Sequence, residues 1–383
     1  MKIGKNLQQQ IAVFGESGSG KTVLLSSFYG AMQEPNFIEE NHYTVVADDQ
    51  GKGQTLHRLY LAMRDSTKVP SLNRFKGDSH EFSIHLRTPA GGKKDKAGKV
   101  EGLHLVWHDY PGEWFESSPY GAEEQHRRLE MFRSLLGSDV ALLLVDAQRL
   151  IDNEGEEERY LKLLFTNFKN SILGLKSGLL RDGKPLKEFP RIWIIALTKA
   201  DLLPDTDVYR FRDLVIEKAG GEIGQLRDQL RSMVVADEAL DIGQDFLLLS
   251  SAKFEPGKIV MTQRKGVDLI LPIASVLPLE RYARWANNFK IPGRVLEVML
   301  RGAGPVLTGF LLRSSGRNKP AKFVAKFVGT EVVAEIAVVA ADKLKEFNER
   351  SRAKGDAVGM TLSQFKMDLD AAEKARVLIR SKA

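Results

Sequence analysis

Residues 15–22 read GESGSGKT, directly after the apolar run Ile11-Ala12-Val13-Phe14 and directly before Val23-Leu24-Leu25. Gly15, Gly20, Lys21 and Thr22 fit the spacing G-x-x-x-x-G-K-[ST], and each residue type has a physical task there. Glycines accept positive φ and let the backbone approach an anion, so that successive N–H groups turn toward phosphate oxygens. Lys21 neutralises terminal phosphate charge, and the Thr22 hydroxyl can meet Mg²⁺. The turn also lies between a strand-like run and a helical pattern, where such a loop has to lie. It calls for a phosphate but does not choose between ATP and GTP.

Three later segments narrow the choice. LVWHDYPGEW places Asp109-Tyr110-Pro111-Gly112 at the end of an apolar strand. This supplies a carboxylate for the water shell of Mg²⁺ and a glycine N–H for a γ-phosphate. IIALTKAD places Thr198, Lys199 and Asp201 at the end of another strand. A carboxylate there can accept from both N1–H and N2–H₂ of guanine, a donor pair that adenine lacks. LLLSSAK places Ser251, Ala252 and Lys253 after the last strand, where a backbone N–H could meet the guanine O6.

The elements that must position these residues follow from periodicity. Apolar runs at 10–14, 81–87, 103–108, 140–146, 192–197 and 246–250 read as strands, and 21–33, 121–136, 156–174 and 207–219 read as helices. Alternation of this kind predicts βαβ units and a mostly parallel sheet. Strands 81–87 and 103–108 are joined only by the loop containing AGGKKDKAGKV, so they should pair as one antiparallel hairpin. After LLLSSAKFEPG the text changes to short helical stretches broken by Pro272, Pro278, Pro292 and Pro305, then RSSGRNKP as a linker and a helical tail. In the tail, Thr361 and Gln364 have capping-box spacing, and Leu362, Phe365, Leu369 and Ala372 share one face.

Composition limits the rest. Hydrophobic residues at 43% and charged residues at 28% of 383 match ordinary globular usage rather than disorder. The absence of cysteine excludes disulfides and thiolate metal sites and fits a reducing compartment. The first residues, MKIGKNLQQQ, lack the apolar core of a secretory signal, and Phe323 to Ala341 is broken by Lys326, Glu331 and Glu335. A cytoplasmic protein is therefore expected. The formal charge of +6 concerns steering and solubility rather than a site, and no basic-aromatic array calls for nucleic acid.

In this order, GESGSGKT, DYPG, TKAD and SSAK resemble the translation-factor-related (TRAFAC) class of P-loop GTPases, which includes Ras-like proteins. The resemblance covers roughly residues 8 to 255, and bacterial relatives assigned to conflict or stress systems share the long first insert and the D-x-P-G-E form. It implies an α/β fold with a Ras-like P-loop NTPase core, mostly parallel with one antiparallel hairpin. That core would span 1–255, with a long switch I insert at about 34–79, and a mainly helical extension would occupy 256–383. The implied nucleotide-binding set is Gly15, Ser17, Gly18, Ser19, Gly20, Lys21, Thr22, Val23, Thr198, Lys199, Asp201, Ser251, Ala252 and Lys253. Lys21 and the loop backbone would hold the β- and γ-phosphates; Thr22 and, through water, Asp109 would hold Mg²⁺. Gly112 would sense the γ-phosphate, Asp201 select guanine and Lys199 pack on the base.

Three departures bear on mechanism. Glu113 stands where many relatives carry the glutamine that orients water; a carboxylate cannot donate to the γ-phosphate, so slow hydrolysis is expected if Glu113 acts with Lys21 and Gly112. It could equally cap the next helix or pair with Arg127 or Arg128. Thr198 replaces the commoner Asn, its shorter side chain still able to tie loops together. The switch I threonine could be Thr55, Thr67 or Ser71, with Thr67 and Ser71 favoured by the irregular stretch around Pro70. No arginine finger is assignable among Arg74, Arg127 and Arg128. His104 and His108 read as buried supporting residues rather than metal ligands, and Asp146 as a strand-end residue near the nucleotide. The expectation is a GTP- and GDP-binding switch with Mg²⁺ as cofactor, acting on a protein effector through its switch regions and extension. Its rivals are a P-loop ATPase, a scaffold that holds GTP without turnover, and a GTPase in peripheral membrane contact through 292–312 and 323–341.

Overall fold

The computed structural model describes residues 6–65, 79–87, 102–116, 119–255, 258–288 and 357–381, with two isolated positions at 345 and 349. Strand β1 (Asn6–Phe14) leads into helix α1 (Lys21–Ala31), and α2 (Pro35–Glu40), β2 (Tyr43–Ala47) and α3 (Gln50–Arg64) follow. Strands β3 (Ser79–Leu86) and β4 (Gly102–Asp109) form the expected antiparallel hairpin, with Phe82 opposite Leu105. Next come α4 (Glu113–Glu116), α5 (Gly121–Leu135), β5 (Val140–Asp146), α6 (Ala147–Asp152), α7 (Glu157–Leu179), β6 (Ile192–Thr198), α8 (Val208–Arg231) and β7 (Asp241–Leu248). A small hairpin, β8 (Lys253–Glu255) and β9 (Lys258–Val260), precedes α9 (Ile270–Ser275), α10 (Leu277–Asn288), α11 (Ala357–Lys374) and β10 (Leu378–Ile379).

Among the described residues, eight strands form one sheet in the order β10-β7-β6-β5-β1-β4-β3-β2. The five from β7 to β4 are parallel, and antiparallel strands close both ends. Strands β5 and β6 are buried along their whole length, which is why VALLLVD and IWIIALT read as unbroken apolar runs rather than alternating ones. Elsewhere alternation sorts side chains to the two faces. Ile11, Val13, Leu103, Leu105 and Trp107 face α1, whereas Ala12, Phe14, Leu143 and Trp193 face α5, α7 and α8.

The described part of the extension is mainly helical and packs on the α1 face. Ile270, Ile273, Trp285, Leu362, Phe365 and Leu369 share one hydrophobic core with the sheet. Strand β10 then extends the sheet beside β7, with Leu378 opposite Leu247. Arg281, with none of its surface exposed, bonds both Asp241 and Asp245, and the Ser381 N–H donates to Asp245 Oδ1 at 2.8 Å. The stripe Leu362, Phe365, Leu369 and Ala372 is buried as its spacing implies. The helix start is different: α11 already begins at Ala357, so Thr361 is a buried interior residue and not a cap, because Val358 and Met360 carry the apolar face further back. RSSGRNKP and Phe323 to Ala341 lie outside the described residues. Among the described residues no helix is long and apolar enough to cross a membrane.

Candidate nucleotide site

Register brings the four motifs to one edge. Val13 lies opposite Asp109, Phe14 opposite Leu143, Asp146 opposite Thr198 and Leu197 opposite Leu248. The carboxyl ends of five parallel strands therefore line up, and the loops that leave them meet where open α/β sheets bind ligands.

The phosphate loop has the backbone that its composition demands. Gly18 and Gly20 sit at φ +80° and +88°, and Gly20 caps the start of α1, whose first N–H groups are then aimed at the loop's concavity. Lys21 Nζ donates to the carbonyls of Gly15 at 2.8 Å and Glu16 at 3.0 Å, so the ammonium lies across the loop itself. The Thr22 carbonyl accepts from Ser26 Oγ at 2.8 Å. Ser19 Oγ is buried without a hydrogen-bond partner among the described residues.

Asp109 is 9% exposed, and its Oδ1 has no hydrogen-bond partner among the described residues. Burial pushes its carboxyl up to about 6, against the pull of nearby Lys21. A buried carboxylate oxygen beside a lysine and the first turn of α1 is of the kind that could hold a hydrated divalent cation, and the Thr22 hydroxyl could supply a second oxygen. Gly112 lies directly on the phosphate loop: a Cβ there would stand 2.3 Å from Ser17 N and 2.4 Å from the Glu16 carbonyl carbon. Glu113 is exposed at the first position of α4. Tyr110 anchors this segment by packing against Phe14, Trp114 and Phe132. Arg128 is buried with its guanidinium over Trp114, bonded to Glu124 at 2.8 Å and to the Trp114 carbonyl at 3.1 Å. Arg127 is exposed and lies 3.8 Å from Glu123.

Beside the loop is a cavity of about 380 Å³. Gly18, Gly20, Val23 and Leu24 form one wall; Thr198, Lys199, Asp201, Leu202, Leu249 and Ser251 form much of the other, with Gln148 and Phe254 completing it. Asp201 Oδ1 accepts from Ser250 Oγ at 2.6 Å and Oδ2 from the Phe254 N–H at 3.2 Å, which fixes the carboxylate plane in the wall. Lys199 adopts a left-handed conformation, φ 53°, and its Nζ bonds Asp146 Oδ2 at 2.7 Å. Asp146 also caps α6 by accepting from the Gln148 N–H at 2.9 Å, so it joins the base side to the helix next to the phosphate loop. Thr198 donates from Oγ1 to the Val145 carbonyl at 3.2 Å, tying β6 to β5 rather than loop to loop. The Ser251 carbonyl accepts from Ser27 Oγ at 2.9 Å and Ala252 is fully buried, whereas Lys253 stands outside the cavity wall and pairs with Glu255 at 2.8 Å.

Thr67, Ser71 and Arg74 lie outside the described residues. Thr55 is inside α3, its hydroxyl donating to the Gly51 carbonyl at 2.9 Å. His108 is buried with Nε2 3.1 Å from Gln10 Oε1, and burial lowers it to about 4; His104 bonds Asp48 at 2.7 Å. Three residues of the site, Gln148, Arg149 and Phe254, carry no motif of their own, and Ser250, the first serine of SSAK, has a role that its motif alone does not assign. Gln148 lines the cavity, and Arg149 reaches the Ser17 carbonyl at 3.3 Å and Glu16 at 3.5 Å. Ser250 and Phe254 hold Asp201. The sequence signal of Gln148, Arg149 and Phe254 is adjacency: Phe254 directly follows SSAK, and Gln148-Arg149 follow a strand-end aspartate.

The model of the Double-GTPase 2 family matches residues 9–241, more than half of the chain. No curated protein sequence matches significantly. Among solved structures, the chain is similar to the signal recognition particle receptor SRb-GTP/SRX complex from Chaetomium thermophilum, at 18% identity and a TM-score of 0.32, covering 63% of this chain and 89% of that one. LeoA, a bacterial dynamin GTPase from ETEC, matches at 15% identity and a TM-score of 0.27, covering 96% of this chain and 46% of LeoA, so the chain spans less than half of that protein. The signal recognition particle 54 kDa protein from Aeropyrum pernix K1, in complex with GDP, matches at 14% identity and a TM-score of 0.24, covering 97% and 77%.

Proposed function

Because the chain belongs to the Double-GTPase 2 family, and so is a P-loop GTP-binding protein, we propose that it is a slow GTPase switch that binds Mg·GTP in the 380 Å³ cavity and along the phosphate loop. The observation that carries the reading is Asp201. Its two oxygens are set in the cavity wall by Ser250 and the Phe254 N–H, leaving the remaining lone pairs to accept from the N1–H and N2–H₂ edge of guanine. The phosphates would lie on the N–H groups of Gly15 to Thr22. On binding them, Lys21 would exchange its bonds to the Gly15 and Glu16 carbonyls for phosphate oxygens.

Thr22 and the open oxygen of Asp109 would hold Mg²⁺, which when bound neutralises charge on the β- and γ-phosphate oxygens. Gly112 has no room for a Cβ against Ser17 and Glu16, so a γ-phosphate that accepted from its N–H would pull on the segment that continues into α4. Loss of that phosphate releases the segment, and this is the conformational step that the switch would pass on through α4, the insert and the extension to a protein effector. The compartment proposed is the cytoplasm, for which the absence of cysteine is the support.

Glu113 sets the expected rate. A carboxylate near the γ-phosphate accepts a proton but cannot donate, and its charge opposes the phosphate. Single-turnover phosphate release from pre-bound GTP tests this: release over minutes to hours, accelerated in Glu113→Gln, is the expected result. Retention of intact GTP with no release in either protein would replace the switch by a scaffold that holds GTP without turnover.

A further inference from the structure

Among the described residues that line the base cavity, Phe254 is the one aromatic side chain. Its backbone N–H fixes Asp201, so the ring is built onto the same residue that orients the base-reading carboxylate. The side chain also packs on a small hydrophobic cluster of Ala31, Tyr60, Met63, Ala252 and Met261. Tyr60 and Met63 come from α3, in the long insert, whereas Ala252 and Met261 flank the β8–β9 hairpin. Val23 likewise both lines the cavity and packs on this cluster. Helix α3 is seated firmly behind the wall: a Cβ at Gly30 of α1 would stand 2.1 Å from Tyr60 Cγ, so the two helices touch almost backbone to ring. One turn earlier on the same face of α3, Leu56 belongs to a different cluster, the sheet's own core.

Resting on the guanine-nucleotide reading above, we propose that Phe254 is the stacking wall for the nucleotide base and that α3 holds it there, so that the insert restrains nucleotide release from the base side. A purine presents a flat π-face, and an aromatic ring in van der Waals contact with it gains dispersion and excludes water without reading the base edge. The aliphatic stem of Lys199 supplies apolar surface elsewhere in the same cavity. Recognition and retention are thereby separated. Asp201 chooses guanine, and Phe254 slows its departure. Since Phe254 packs on the cluster that Tyr60 and Met63 of α3 help to build, a partner that displaced α3 would loosen the base while leaving the phosphate contacts intact.

The test is release of a fluorescent GDP from the full-length protein and from Phe254→Ala, Phe254→Trp, Met63→Ala and Leu56→Ala. Alanine keeps the backbone N–H that fixes Asp201, so Phe254→Ala should release GDP on the order of tenfold faster with its preference for guanine over adenine unchanged. Phe254→Trp should keep slow release and change its emission when GDP binds. Met63→Ala, which removes support from behind the ring, should also speed release, and Leu56→Ala, on the same helix but in the other cluster, should not. Release at the wild-type rate in Phe254→Ala or Met63→Ala, or equal acceleration in Leu56→Ala, overturns the proposal. If the wild type binds ATP and GTP equally, the fault lies in the functional reading; if it binds GDP selectively and Phe254→Ala behaves as wild type, the fault lies in this inference.

Discussion

Gly112 and Asp139 show how much single positions decide here. At Gly112 a methyl group would overlap the Ser17 N–H, which is also a candidate phosphate donor. Gly112→Ala must push the DYPG segment off the loop, and the γ-phosphate is the ligand that needs them together. The variant should lose GTP affinity by about tenfold or more while keeping most of its GDP affinity, as titration of each nucleotide would show. Asp139 concerns stability instead. It is buried, accepts from the Gln10 N–H at 2.8 Å, and burial pushes its carboxyl up from 3.8 to about 7. With the folded-state value above the unfolded one, the folded protein holds a proton that the unfolded chain has lost between those two values. Stability from this group is thus complete below about 4 and declines as pH rises toward 7. Asp139→Asn keeps an acceptor for Gln10 and removes the charge, so denaturant unfolding above pH 7 should show it more stable than wild type by roughly 1–3 kcal/mol, and nearly equal in acid.

At the scale of elements, what the sequence revealed and what it hid divide on physical lines. Strands β1, β4, β5 and β6 were legible because full burial or strict alternation leaves a long apolar signature, and the phosphate loop was legible because few residue types can take its backbone. Strand β2 was not, since five residues between two helices carry too little period to stand out, and β10 is only two residues long. Phe254 did not stand out for another reason: its place in the cavity wall comes from tertiary packing on the cluster that includes Tyr60 and Met63 of α3, which no spacing in sequence encodes. The six-residue helix α6 is a similar case. Its N-cap Asp146 holds Lys199, and Arg149 holds the Ser17 carbonyl, so it braces the base loop against the phosphate loop. Asp146→Ala removes both the cap and the ion pair. It should destabilise the protein by about 1–2 kcal/mol in thermal unfolding and weaken GDP and GTP equally, because both use the same braced loops.

Over the whole molecule, the extension is structurally continuous with the sheet. Helices α9 and α11 complete the core on the α1 face, β10 extends the sheet, and Arg281 sits between Asp241 and Asp245 with no exposed surface. Removing that guanidinium would leave two buried carboxylates facing each other. Arg281→Met should therefore lower unfolding free energy by about 3–5 kcal/mol, whereas replacing all three by apolar residues of similar size should recover much of the loss. We propose accordingly that residues 1–255 alone, stripped of this layer, would expose an apolar face and fail to behave as an independent unit. Under the proposed switch, the same continuity would give a nucleotide-driven movement of the DYPG segment a rigid body to act on. The functional reading depends on guanine being the base read by Asp201. The most direct test exchanges the hydrogen-bond pattern: xanthine presents a carbonyl where guanine has its amino group, and Asn offers the donor that Asp lacks. Wild type should bind GDP well and xanthosine diphosphate poorly, with the order reversed in Asp201→Asn. Unchanged preference in Asp201→Asn, or equal binding of ADP by the wild type, would contradict the account.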